Sequence, residues 1–177
     1  MMYKVFSLAV SKLLRVLLVV SMITVVSLTS NSTSAIAASI WDNQTESWSG
    51  KPEISVYRSP SCSCCGDWIE HVKKQGFKIK EDIKTEEMEA IKQKYNLPPE
   101  LASCHTAIIG GYVIEGHVPA DDIKRLLQQK SQVAGLAVPA MPIGTPGMEM
   151  GNTKQPFAVI AFNKKGDVRV FKQYEYY

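Results

Sequence analysis

The chain has 177 residues, with 20 basic and 17 acidic side chains and a formal net charge of +3. Three of those basic residues (Lys4, Lys12, Arg15) and no acid lie in the first 37 positions, so the rest of the chain carries 17 of each sign. A neutral body gives no electrostatic reason for nucleic acid or an anionic membrane as partner, and its length suits one domain with its own core.

Residues 1–37 read as a secretory signal peptide. The basic start leads into an apolar run, Val16–Leu28, and then to Ala35-Ile36-Ala37, an A-x-A cleavage pattern. The run is shorter than the roughly 20 residues that cross a bilayer. Cleavage near Ala37 leaves no membrane span; an uncleaved signal anchor is the alternative. With no cysteine near the cleavage pattern, a lipid anchor is not indicated. The predicted location is the periplasm or an equivalent envelope space. Residues 38–52 are polar and without period, a flexible lead-in in which Trp41 and Trp48 are candidates to dock.

"ISVYR", 54–58, is a β-branched and aromatic run and predicts a strand, stopped by Pro60. Ser61 then caps a helix that runs to Gly76, with Trp68, Ile69 and Val72 as its apolar face. "FKIKEDI", 77–83, alternates and predicts a second strand, parallel to the first through the helical crossover. Thr85 opens a second helix with Met88, Ile91 and Tyr95 as its buried stripe, ended by "NLPP". "TAIIGGYVIEG", 106–116, predicts a hairpin around Gly110-Gly111. Pro119 and Asp121 open a third helix carrying Ile123, Leu126 and Leu127.

The order β-α-β-α-β-β-α is α/β and thioredoxin-like, a parallel half joined to an antiparallel half. It continues into a long Gly/Pro/Met loop, 135–156, and a last hairpin formed by "FAVIAF" and "DVRVF". Loops of this length inside a domain are often functional. The domain therefore spans 53–177.

"SPSCSCCGDW", 59–68, places three of the chain's four cysteines in four positions; the other, Cys104, lies in "LASCHTA". Cys62 and Cys65 alone would read as a redox disulfide pair. Two structural staples are a poor fit, because adjacent cysteines strain when both are tied to one partner. With Ser61 as N-cap, all three thiols fall in the first helical turn, where the helix dipole favours thiolate, the form that attacks disulfides and binds metals. Cys104-His105 stands just before the third strand, where thioredoxin-like folds keep a cis-proline facing the cysteine turn. The topology thus brings Cys62, Cys64, Cys65 and Cys104 together as a metal-ligand set.

Thiolate-rich sites choose Cu(I), zinc or iron–sulfur clusters. Zinc normally closes with a second C-x-x-C knuckle, absent here, and stays the alternative metal, as the core of a structural module. Cu(I) accepts bridging sulfur and suits more than one ion. Met148 and Met150 in the loop are further soft candidates, with core packing as their plainer role. His105 adjoins the site as a ligand or a partner of one, and His117, which follows the hairpin, is placed equally well as a residue that closes the site or as a capping or surface histidine. His71, some 10 Å along the helix from Cys64, is expected to face solvent. The competing reading is a thiol oxidoreductase using Cys62 and Cys65, or one that couples thiol oxidation to copper reduction.

"YRSPSCSCCGDW", "ELASCHTAIIGGYVIEGHVPADDIKRLL", "GLAVPAMPIGTPGMEMG" and "PFAVIAFNKKGDV" together resemble the CopG-type family of exported copper-resistance proteins, over about residues 53–172. The resemblance implies a thioredoxin-like fold and a copper site built from the motif cysteines. Carried onto this chain, those are Cys62, Cys64, Cys65 and Cys104, with His105 adjoining. It also implies a role in envelope copper handling, whether storage, transfer or a redox step, with another envelope copper protein as the partner class.

Overall fold

The computed structural model describes residues 39–43 and 49–177. The stretch expected to be a signal peptide, residues 1–37, and Trp48 lie outside the described residues. Among those described, no helix is long and apolar enough to cross a membrane.

Strand β1 (Glu53–Arg58), helix α1 (Ser63–Lys74), strand β2 (Lys78–Lys84), helix α2 (Met88–Lys94), strands β3 (His105–Ile109) and β4 (Tyr112–Glu115) and helix α3 (Ala120–Gln129) follow in the predicted order. Strands β5 (Gly135–Ala137), β6 (Phe157–Phe162) and β7 (Val168–Tyr174) complete a mixed α/β fold around one seven-stranded sheet, ordered β2-β1-β3-β4-β5-β6-β7. β1 and β2 pair in parallel, β3 runs antiparallel to both β1 and β4, and β6-β7 is the expected hairpin.

Three element boundaries change, one of them at α2, which starts at Met88 with Glu87 rather than Thr85 at its cap. Residues 135–137 are not loop: they form β5, parallel to β4, so the irregular stretch begins only after Ala137. Three residues are too few to show a period, and both faces of this strand are buried. The third correction concerns α1, whose N-cap is Cys62 rather than Ser61. Cys62 Sγ lies 3.3 Å from the Cys65 N–H and takes the place of the hydroxyl cap.

Side-chain alternation along the strands splits the core in two. Ala107, Ile109, Ile114, Leu136, Val159 and Ala161 join Trp68 and Val72 of α1 and Ile123 and Leu126 of α3. Val113, Ala137 and Phe162 point the other way, to Leu97 and Leu101 after α2. The predicted stripe of α2 (Met88, Ile91, Tyr95) is only half-buried, whereas Lys92 is buried. The lead-in contributes a short turn, Ile40–Asp42, capped by Ser39. Trp41 docks there against Phe157, Tyr174 and Tyr177, with ring centroids 5.4–6.3 Å apart.

Candidate metal centre

The two thiol-bearing segments meet because of where the sheet puts them. Cys62, Cys64 and Cys65 open α1, directly after β1. Cys104 stands just before β3, the antiparallel neighbour of β1, whose first residue His105 pairs with Arg58, the last of β1. The two segments therefore leave the same end of adjacent strands.

The sulfurs of Cys62, Cys64, Cys65 and Cys104 all lie within 4.8 Å of one another. Cys62 and Cys65 are joined as a disulfide, which leaves Cys64 and Cys104 as thiols. Cys64 Sγ is 3.5 Å from Cys62 Sγ, and Cys65 Sγ is 3.7 Å from the Cys104 carbonyl oxygen. In this state the cluster offers two free thiols; reduction of the pair would offer four.

Cys104 also belongs to a second group, with His105 and His117. Its sulfur lies 3.4 Å from His105 Nδ1 and 3.2 Å from His117 Nε2. His117 Nδ1 is 2.7 Å from the Pro146 carbonyl. A carbonyl only accepts, so Nδ1 carries the proton and Nε2 turns its lone pair toward Cys104. Burial drives both imidazoles below the usual histidine range and keeps them neutral, the form that binds metals. His105 is fully buried, packs at 4.4 Å against the Trp68 ring, and its Nε2 has no hydrogen-bond partner among the described residues. Burial, aided by nearby Cys64, pushes the Cys104 thiol up to about 12. The protein alone therefore holds Cys104 protonated, and a soft cation would have to displace that proton.

Two ion pairs brace the surroundings. Arg58 clasps Asp82 with Nε and Nη2 at 2.7 and 2.8 Å and donates from Nη1 to the Cys62 carbonyl at 3.2 Å. Glu115, buried on β4, accepts from the Ser103 N–H at 2.6 Å and from buried Lys92. Neither pair is announced by the sequence motifs. The one hint was an acid at an inward position of "YVIEG", two residues before His117.

The loop after β5 walls the centre. Met148 closes a turn with Thr145 and Gly144 through its backbone, and Met150 is 60% exposed. The loop supplies the Pro146 carbonyl that orients His117. It is held from outside by Trp41 Nε1 on the Gly144 carbonyl at 2.8 Å and by Tyr177 OH on the Ile143 and Gln155 carbonyls. His71 is not solvent-facing as expected: it is buried, and its Nε2 accepts the Ala120 N–H at 3.1 Å. The first N–H of α3 needed a partner, and Pro119 at the cap has no side-chain acceptor to give.

A family model described as a protein of unknown function, DUF411, matches residues 101–148. No curated protein matches. Among solved structures, copper resistance protein CopG, form 2, is 39% identical with a TM-score of 0.68, over 71% of this chain and 100% of that one. Form 1 of the same protein is also 39% identical, with a TM-score of 0.67, over 71% of this chain and 98% of that one. With that identity held across a whole relative, the chain belongs to the CopG family of copper-resistance proteins.

Proposed function

We propose that this is an exported copper-binding protein that holds Cu(I) through Cys62, Cys64, Cys65 and Cys104 and serves copper sequestration or transfer in the cell envelope. The observation that carries the reading is the convergence of four sulfurs from two segments within 4.8 Å. The donor set fits the cargo: thiols suit Cu(I), and two neutral imidazoles lie beside Cys104. Four closely spaced sulfurs suit bridging and more than one ion. His105 and His117 are the nearest further donors, and Met148 and Met150 stand in the loop that walls the site. We read the domain as thioredoxin-like, with β5–β7 as its extension. Its expected partner is another envelope copper protein, and zinc is the competing metal.

The test is anaerobic loading of reduced protein with Cu(I), followed by counting metal per chain. Reduced protein should take up more copper than the Cys62–Cys65 disulfide form, and Cys104→Ser should lower the count. A Cys104→Ser protein that binds as much copper as wild type would sink the four-thiol site. Metal analysis of protein isolated from its native envelope separates copper from zinc.

The disulfide between Cys62 and Cys65 favours a second reading, thiol–disulfide exchange. Metal-free protein in an insulin-reduction assay discriminates the two: rapid turnover supports the oxidoreductase, and inertness supports the copper binder.

A further inference from the structure

The Ser103-Cys104 dipeptide lies outside the sheet ladder. The last rung is the Gly116 N–H on the His105 carbonyl, and Thr106 pairs with Glu115. Beyond that rung a side chain takes over from the backbone. Glu115 Oε1 accepts the Ser103 N–H at 2.6 Å, and Oε2 accepts the Thr106 hydroxyl at 2.6 Å. Lys92 of α2 donates to Oε1 and, at 3.3 Å, to Thr106 Oγ1. The Ser103 hydroxyl in turn donates to the Ala140 carbonyl in the loop.

Both charged partners are buried, Glu115 completely. Burying an ion pair usually gains little over an apolar pair of the same volume. An apolar pair, however, could not grip a backbone N–H. The feature unique to this pair is its hold on the residue next to Cys104, although neither Glu115 nor Lys92 touches a sulfur.

The geometry points to Glu115 as a positioning residue for Cys104: its carboxylate, paired with Lys92, fixes the Ser103-Cys104 backbone so that the thiol faces the Cys62–Cys65 turn. Only the metal readout below rests on the copper reading.

The first measurement uses metal-free protein. In Cys64→Ser protein with the Cys62–Cys65 disulfide formed, Cys104 is the single free thiol, and its alkylation by iodoacetamide is timed. Glu115→Gln offers the Ser103 N–H only a neutral amide oxygen and leaves buried Lys92 without its counter-charge, and it should raise that rate about tenfold. Val72→Ala, a core truncation away from the site, controls for loosening by instability and should leave the rate within about twofold. If Glu115→Gln fails to fold, Ser103→Pro removes the donated N–H with the ion pair intact and should raise the rate likewise relative to Ser103→Ala, which lacks the same hydroxyl but keeps the N–H.

The second measurement is competition for Cu(I) against a chromophoric chelator, without oxygen. Glu115→Gln should weaken binding about tenfold in the four-cysteine protein and have no further effect once Cys104→Ser is present. Unchanged alkylation in Glu115→Gln, or an equal rise in Val72→Ala, overturns the assignment. A copper affinity indifferent to Cys104→Ser, with alkylation responding as stated, would defeat the copper reading and leave the positioning role standing.

Discussion

Two glycines beside the thiols should answer the same substitution with opposite signs. Gly66 lies inside α1, and a Cβ built there meets nothing within 4 Å. Alanine at a helix interior is favoured over glycine by roughly 0.5–1 kcal/mol, because it loses less backbone freedom on folding. Gly147 sits in the loop at φ +81°, and a Cβ there meets Trp68 N at 2.5 Å and Asp67 C at 3.0 Å. Both obstacles are helix backbone and cannot swing aside. The left-handed conformation costs alanine about 1–2 kcal/mol, and forced overlap adds about 1–3 kcal/mol. If the loop lifts instead, the Pro146 carbonyl leaves His117. Either route destabilises by about 2–5 kcal/mol. At about 3–6 °C per kcal/mol for a domain of this size, Gly66→Ala should raise Tm by about 2–6 °C and Gly147→Ala should lower it by about 6 °C or more. Calorimetry on the disulfide form at pH 7 reads both. A Gly147→Ala Tm within about 2 °C of wild type, inside the scatter of surface substitutions, would refute the seating of the loop on α1.

Trp41→Ala removes three aromatic contacts and the bond to the Gly144 carbonyl; it should cost about 2–3 kcal/mol in urea unfolding, less than a fully buried tryptophan. Burial lowers His71 from the ordinary 6.5 to about 4, because the buried ring resists charging. Its folded pKa is depressed, so the neutral ring's contribution is complete above pH 6.5 and is lost as pH falls from 6.5 toward about 4. Up to about 3 kcal/mol should vanish across that window, and His71→Gln should flatten this part of the urea-midpoint profile. Val170, 57% exposed on edge strand β7, should accept lysine with a stability change within about 0.5 kcal/mol. Light scattering during concentration should show slower aggregation for Val170→Lys, since an edge charge opposes strand pairing between molecules.

The elements that carry local periodicity were readable from the chain alone. The β1-α1-β2 crossover, the Gly110-Gly111 hairpin and the last hairpin are each built from segments that follow one another directly in the chain. The meeting of Cys104 with the cysteine turn followed from strand order, because neighbours in a sheet share an end. What could not be read depends on partners far along the chain. Lys92 looks like a surface lysine until Glu115 arrives from 23 residues away. His71 looks exposed until α3 presents the Ala120 N–H from 49 residues away. Cys62 displaced Ser61 as the helix cap because a sulfur can accept the Cys65 N–H, and cap preferences rank oxygen-bearing residues first. β5 stayed hidden because a three-residue strand buried on both faces shows no alternation.

Residues 138–156 leave the sheet from β5 and return on β6, its antiparallel neighbour, where Ala137 pairs with Ile160 and Leu136 with Ala161. Entry and exit are thus fixed side by side, whatever happens between them. Lengthening such a segment costs only about 0.6 kcal/mol per doubling in closure entropy. The segment therefore behaves as a cover plate pinned at three points: the Ala140 carbonyl on Ser103, the Pro146 carbonyl on His117 and Gly147 against α1. Its length can change between those pins without shifting the strands from which the two cysteine segments leave. Engineered versions should accept an insertion at the exposed Gly151-Asn152 turn and should not accept one at Pro146 or Gly147.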